Sequence, residues 1–200
     1  MKLHLLSIPI TLLLVTSCGL GQGTFVYDQQ SSDESHFMEG SAGLGLQPIG
    51  QSFAPALSSV GFIRLYLYDG LPGNTAPGTL NVNLRTSSIT GPILSSAIPV
   101  TLQGGSGGTV DFIFSTPVSV TPGETYFFQP FFVSGGGGWG TLAARYGYPS
   151  GTAFFNGTSS PNIDLWFREG IVVPEPSSAW LVLLGAGMFI WCRRKNCRSR

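Results

Sequence analysis

Phe62-Ile63-Arg64-Leu65-Tyr66-Leu67-Tyr68 reads FIRLYLY, and its alternation sets Ile63, Leu65 and Leu67 on one face and Phe62, Arg64, Tyr66 and Tyr68 on the other. A period of two belongs to a β-strand, whose successive side chains leave an extended backbone on opposite sides. The same pattern recurs along the chain. Leu80, Val82 and Leu84 alternate with Asn81, Asn83 and Arg85, and Val110, Phe112 and Phe114 alternate with Asp111 and Ile113. Tyr126 to Val133 is almost continuously apolar, as expected for a strand covered on both faces, and Leu165 and Phe167 form a last short strand. Turn signals punctuate these runs at Asp69-Gly70, Pro72-Gly73, Pro77-Gly78, Thr90-Gly91-Pro92 and Pro122-Gly123. No stretch between Gly19 and Pro176 carries a helical period. Many short strands with such punctuation predict an all-β fold, an antiparallel β-sandwich of jelly-roll-like layout.

The chain has 200 residues and a formal net charge of zero, but that zero mixes unlike segments. Between Gly19 and Pro176 there are four arginines (Arg64, Arg85, Arg145, Arg168), no lysine and ten acids, a net charge of −6. An acidic body without a basic stripe argues against nucleic-acid binding, whose affinity comes largely from cations on phosphates. The three cysteines are Cys18, Cys192 and Cys197, so the body carries no disulfide, thiolate metal site or thiol nucleophile. Its roughly 150 residues suffice for one domain with a substantial core.

Both ends of the chain differ from the body. At the front, Lys2 followed by the mostly apolar run Leu3 to Val15 reads as a signal peptide spanning residues 1–18. Two readings of its cleavage stay open. Val15-Thr16-Ser17-Cys18 resembles a lipobox with Cys18 as the lipidated residue, and the small residues from Ser17 to Gly23 also suit ordinary signal peptidase. At the back, Pro174-Glu175-Pro176 breaks regular structure and Ser177 or Ser178 can start a helix. Ala179 to Cys192 is then 14 residues without a charge, followed by Arg193, Arg194, Lys195, Arg198 and Arg200. An apolar run ending in a cytoplasmic basic cluster is the layout of a stop-transfer transmembrane helix. Sixteen helical residues from Ser177 reach only ~24 Å against a hydrocarbon core of ~30 Å, a gap that snorkelling by Arg193 and Arg194 and local thinning can close.

The Pro174-Glu175-Pro176 triplet, the apolar helix and the terminal Arg193-Arg194-Lys195 cluster together resemble the PEP-CTERM sorting signal. That resemblance implies recognition in the inner membrane by an exosortase-type processing enzyme, with release or re-anchoring of the exported body at the cell surface or in the extracellular matrix. Gln51-Ser52-Phe53, Thr121-Pro122-Gly123-Glu124-Thr125-Tyr126 and Asp164-Leu165-Trp166-Phe167-Arg168 are similar to segments of the β-sandwich ectodomains such proteins carry, which look like carbohydrate-binding modules in shape. The expected organisation is a signal peptide at 1–18, an N-terminal arm with a first strand at 24–50 and a sandwich at 51–170. A linker at 171–178, a transmembrane helix at 179–192 and a basic tail at 193–200 follow.

Candidate chemistry is sparse. His36 with a serine and Asp111 or Asp164 is the only imaginable triad, and no Gly-x-Ser-x-Gly elbow supports it. Asp69, Asp111, Glu124 and Asp164 show no spacing that pairs two carboxylates for glycoside hydrolysis. Asp28, Asp33, Glu34 and Glu39 form an acidic patch that invites calcium, yet no Asp-x-Asp-x-Asp run is present and a solvated arm is the plainer reading. The glycine tracts 104–108 and 135–138 lack the Lys-Ser/Thr of a phosphate loop and read as flexible inter-strand loops. Trp139, Tyr146, Tyr148 and Trp166 lie beside loops, where aromatic faces helped by Arg145 or Asn162 suit stacking on sugar rings; the alternative is that they cap the sandwich edges. Tyr146 and Tyr148, two apart, are expected on one face of a short strand. The expectation is a non-catalytic exported protein without cofactor or metal that associates with exopolysaccharide, the alternative being a secreted carbohydrate-active hydrolase.

Overall fold

The computed structural model describes residues 23–37 and 40–174. The signal peptide, Cys18, Glu39, Glu175, Pro176 and the tail bearing Arg193, Arg194 and Lys195 lie outside the described residues. Fourteen strands and no helix occur among those described. The first seven are β1 (Thr24–Gln30), β2 (Ser41–Gly43), β3 (Gly50–Phe53), β4 (Ser59–Asp69), β5 (Gly78–Thr86), β6 (Ile93–Ser96) and β7 (Val100–Leu102). They are followed by β8 (Gly107–Ser119), β9 (Tyr126–Gly135), β10 (Trp139–Ala144), β11 (Ala153–Phe155), β12 (Thr158–Ser160), β13 (Asp164–Leu165) and β14 (Phe167–Val173). No helix among the described residues is long and apolar enough to cross a membrane.

The strands form two antiparallel sheets. One runs β1-β14-β4-β10-β13, with β8 also on β4 and β2 also on β10; the other runs β12-β11-β3-β9-β5-β6, with β7 also on β5. The FIRLYLY stretch is the middle of β4. Ile63, Leu65 and Leu67 are fully buried in a core shared with Phe112 and Phe167 of the same sheet and with Phe53, Leu80, Val82, Leu84 and Phe128 of the other. Phe167 sits at the centre of that interface, with ring centroids 5.2 Å from Phe128 and 6.3 Å from Phe53. Two such inner faces make a β-sandwich.

Phe62 points away from the core as the alternation requires, yet it is fully buried. Phe25 and Tyr27 of β1 cover it edge-on at 4.8 and 5.6 Å. The segment expected as an N-terminal arm with a first strand joins the sheet twice: β1 is an edge strand on β14 and β2 adds to β10. The last short strand is two elements, β13 and β14, and β14 stays paired to Val173. Residues 171–173, assigned above to the linker, are thus sheet. β9 is covered on both faces only in its first half, since Phe132 and Val133 are exposed. Val133 is the extra residue of a bulge between the Thr79–Ser134 and Leu80–Phe132 pairs, which breaks the regular ladder there.

The glycine loops are not loose. Asp69, at the end of β4, accepts hydrogen bonds from the backbone of Leu71, Gly105 and Gly138 and from the Asn74 amide. One carboxylate so ties together the loops after β4, β7 and β9. The Asn74 amide first and then the three backbone N–H groups hold that carboxyl well below the usual range.

Candidate functional site

The loop after β10 never returns to strand: Arg145 to Gly151 is irregular, so Tyr146 and Tyr148 do not share a strand face. Gly147 at φ +78° turns the chain, and Asn162 at φ +68° turns the facing loop before β13. Between these two turns lies an open cleft of about 560 Å³ lined by Arg145, Gly147, Tyr148, Gly151, Asn162 and Asp164. Its floor is rigid. Asp164, almost fully buried, accepts from Gln51 Nε2 at 3.0 Å and from the Tyr148 backbone N–H at 3.0 Å. Gln51, also buried, accepts in turn from the Leu165 N–H at 3.0 Å. A β-carbon on Gly151 would collide with the Ser52 carbonyl, so only glycine lets this loop lie against β3. The rim is different in kind: Arg145 and Asn162 are both exposed, and neither side chain makes a hydrogen bond or ion pair among the described residues.

Of the residues suggested for sugar stacking, only Arg145 and Tyr148, with Asn162 beside them, come together. Trp139 is a core residue at 4 % exposure, its Nε1 donating to the Gly136 carbonyl at 2.8 Å. A β-carbon at Gly78 would collide with its indole, which explains how so large a ring fits beside a turn. Trp166 is fully buried outside the core, under Phe37 and Tyr66 at 5.5 and 6.4 Å, and donates to the Asp33 carbonyl. Tyr148 lines the cleft but is itself buried. Its ring packs edge-on against Phe167 at 5.2 Å, its hydroxyl donates to Gln29 Oε1 and accepts from the Ala54 N–H, and burial pushes it up to about 12. These three rings present no open face, contrary to a stacking platform. Tyr146 is half-buried and does not line the cleft.

The acidic patch is dispersed. Asp28 is the extra residue of a bulge in β1, and its Oδ2 accepts from the N–H groups of Ala56 and Leu57 at 2.7 and 2.8 Å. Asp33 accepts from the hydroxyl and N–H of Ser35, which lower its pKa. Glu34 spans two arginines, Oε1 on Arg64 at 2.6 Å and Oε2 on Arg168 at 2.5 Å. Burial alone would raise its pKa, but the two guanidinium groups outweigh that and hold it low. Among the described residues no three His, Cys, Asp or Glu side chains gather to hold a metal ion. His36 is exposed, Asp111 is bound bidentately by Arg64 at 2.6 and 2.9 Å, and Asp164 is committed to the cleft floor. The imagined triad is not assembled.

One group was missed entirely by sequence reasoning. Glu169 of β14 is fully buried between Gln29 of β1 and Ile63 of β4, beside Asp28 and the Gln29 backbone, and neither carboxyl oxygen meets a well-aligned hydrogen-bond partner. Burial, with the like charge of Asp28 adding to it, pushes Glu169 up to about 9. The acid is therefore neutral at pH 7. Only its inward phase in the β14 alternation, between Phe167 and Ile171, hinted at this.

Comparison with known families finds a sorting signal that starts at the end of β14. Residues 172–196 match the model of the PEP-CTERM protein-sorting motif, which indicates exosortase-dependent sorting of an exported protein. No curated protein and no solved structure matches the chain.

Proposed function

We propose that this is a non-catalytic exported protein whose jelly-roll-like sandwich is displayed at the cell surface or in the extracellular matrix, where it associates with exopolysaccharide. The observation that carries this reading is the sorting motif at 172–196, which begins in the last two residues of β14 of a folded all-β body. In it, residues 1–18 direct export, with signal peptidase acting near 17–23 or lipidation at Cys18. The apolar run 179–192 holds an inner-membrane intermediate until an exosortase-type enzyme acts near Pro174-Glu175-Pro176. Polysaccharide association is supported by the cleft at Arg145 and Asn162, a polar surface feature with side chains the fold does not use. The test is mass spectrometry of the exported form from a native host. The mature protein should lack both the leader and residues 193–200, and replacing Pro174-Glu175-Pro176 by alanines should leave the tail attached. An exported protein that retains Cys192 to Arg200 would refute the reading.

A further inference from the structure

The geometry points to the Arg145–Asn162–Asp164 cleft as a binding site for uncharged sugar units of a polysaccharide, recognised through adjacent hydroxyl groups; this rests on the exopolysaccharide reading above. Arg145 stands apart from the other arginines of the body. Arg64 is held by Asp111, Glu34 and Tyr27, Arg168 by Glu34 and Gln30, and Arg85 by Gln129 and the Gly91 carbonyl. Arg145 alone among these four leaves its guanidinium donors unfilled, and it does so at the mouth of a cleft. A guanidinium offers five N–H donors and no acceptor, and the Asn162 amide opposite offers two donors and one acceptor. Neither is needed by the fold.

The floor supplies the opposite chemistry. Each Asp164 oxygen takes one hydrogen bond from the protein, from Gln51 and from Tyr148, and keeps a second lone-pair direction. A hydroxyl is the group that answers both, donating to a carboxylate while accepting from a guanidinium or amide. Two neighbouring hydroxyls on a sugar ring span a donor-rich rim and an acceptor floor at once. A carboxylated sugar would satisfy Arg145 but meet the Asp164 charge, and a cation would meet Arg145. The body's excess of acids over its four arginines also repels a polyanion at long range. Gly147, with open space where a β-carbon would stand, leaves the backbone of that loop approachable by a ring. The volume of about 560 Å³ falls among small-ligand sites and its openness to solvent admits an internal unit of a chain.

The experiment is affinity electrophoresis of the mature exported protein through gels containing dextran, laminarin or mannan as neutral probes, alginate as a polyuronate, or the host's own exopolysaccharide. Arg145→Ala and Asn162→Ala are run beside the parent, with thermal unfolding of each. At least one neutral polymer should retard the parent and alginate should not. Each substitution should weaken retardation about tenfold, the effect of one hydrogen bond to a charged or well-placed group, with the melting temperature unchanged. Retardation by alginate alone would overturn the ligand class. Retardation by a neutral polymer that survives both substitutions would overturn the site and leave the polysaccharide association standing. No retardation by any polymer, the host's included, would remove the association itself.

Discussion

Glu169 shows how one residue makes the whole domain sensitive to pH. An unfolded glutamate titrates near 4.5, whereas burial raises the folded group to about 9. Between those values the folded state binds one proton more than the unfolded state, so the stability associated with the neutral acid is complete below the lower value. It is lost as pH rises through the upper one. The slope is at most about 1.4 kcal/mol per pH unit. Urea unfolding of the sandwich from pH 5 to pH 9 should show stability declining with pH, and Glu169→Gln should flatten that decline and raise stability at pH 8. An unchanged pH profile in the variant would show that Glu169 is not the group responsible. The position was hard to read because a glutamate at the inner phase of a strand normally signals a misread strand. What makes it tolerable is a neutral carboxyl, a property of surroundings brought together from distant segments. Trp139 misled in the opposite direction. Four glycines ahead of it suggested freedom, but absent β-carbons at Gly78 and Gly137 are what leave room for a buried indole.

Strand pairing exposes relations that no single strand contains. Arg168 of β14 and Arg64 of β4 are direct cross-strand partners, and Gln30 and Asp111 extend the same row onto β1 and β8. Two facing arginines would repel, as like charges opposite each other in a ladder do. Glu34 removes the conflict with one carboxyl oxygen on each, and Tyr27 lies flat beneath the Arg168 guanidinium at 3.3 Å. Glu34→Gln should therefore destabilise the domain by roughly 1 kcal/mol, a discounted figure for a partly exposed pair. The loss should shrink in high salt, which screens the exposed arginine repulsion. Chemical unfolding at low and high salt is the measurement, and a salt-independent loss would point to packing instead. The strands themselves were legible, because alternation at Ile63-Leu65-Leu67 or Leu80-Val82-Leu84 is local. The partners were not, because Glu34, Arg64, Asp111 and Arg168 meet only through register. Glu34 accordingly read as part of a solvated acidic arm when it is a counter-ion to two arginines. Asp69 was legible as a turn residue but not as the common acceptor for three loops.

At the scale of the whole molecule, the chain begins and ends its fold in the same sheet. β14 lies between β1 and β4 and carries Phe167, against which rings from Phe53, Phe128 and Tyr148 pack. Neither the first sheet nor the core can close before the last strand is present, and such non-local pairing folds slowly. A chain ending before Asp164 should show no cooperative thermal transition and should be degraded by trypsin or chymotrypsin at low enzyme ratios. A chain ending after Val173 should unfold cooperatively with the melting temperature of the mature protein. Cooperative unfolding of the shorter chain would mean the sandwich is complete without β13 and β14.

Thr24 stands opposite Val173, and Pro174 follows at once, so the domain has both its mechanical attachment points at one spot. Tension applied to the tail runs along β14 and loads the rungs to β1 and β4 together, an arrangement that yields only when many hydrogen bonds fail at once. Tension between the two ends acts differently. It pulls Thr24 and Val173 apart and peels β1 away one rung at a time. A domain held by its C-terminal end alone is built to resist drag; the same domain gripped at both ends would open like a zip.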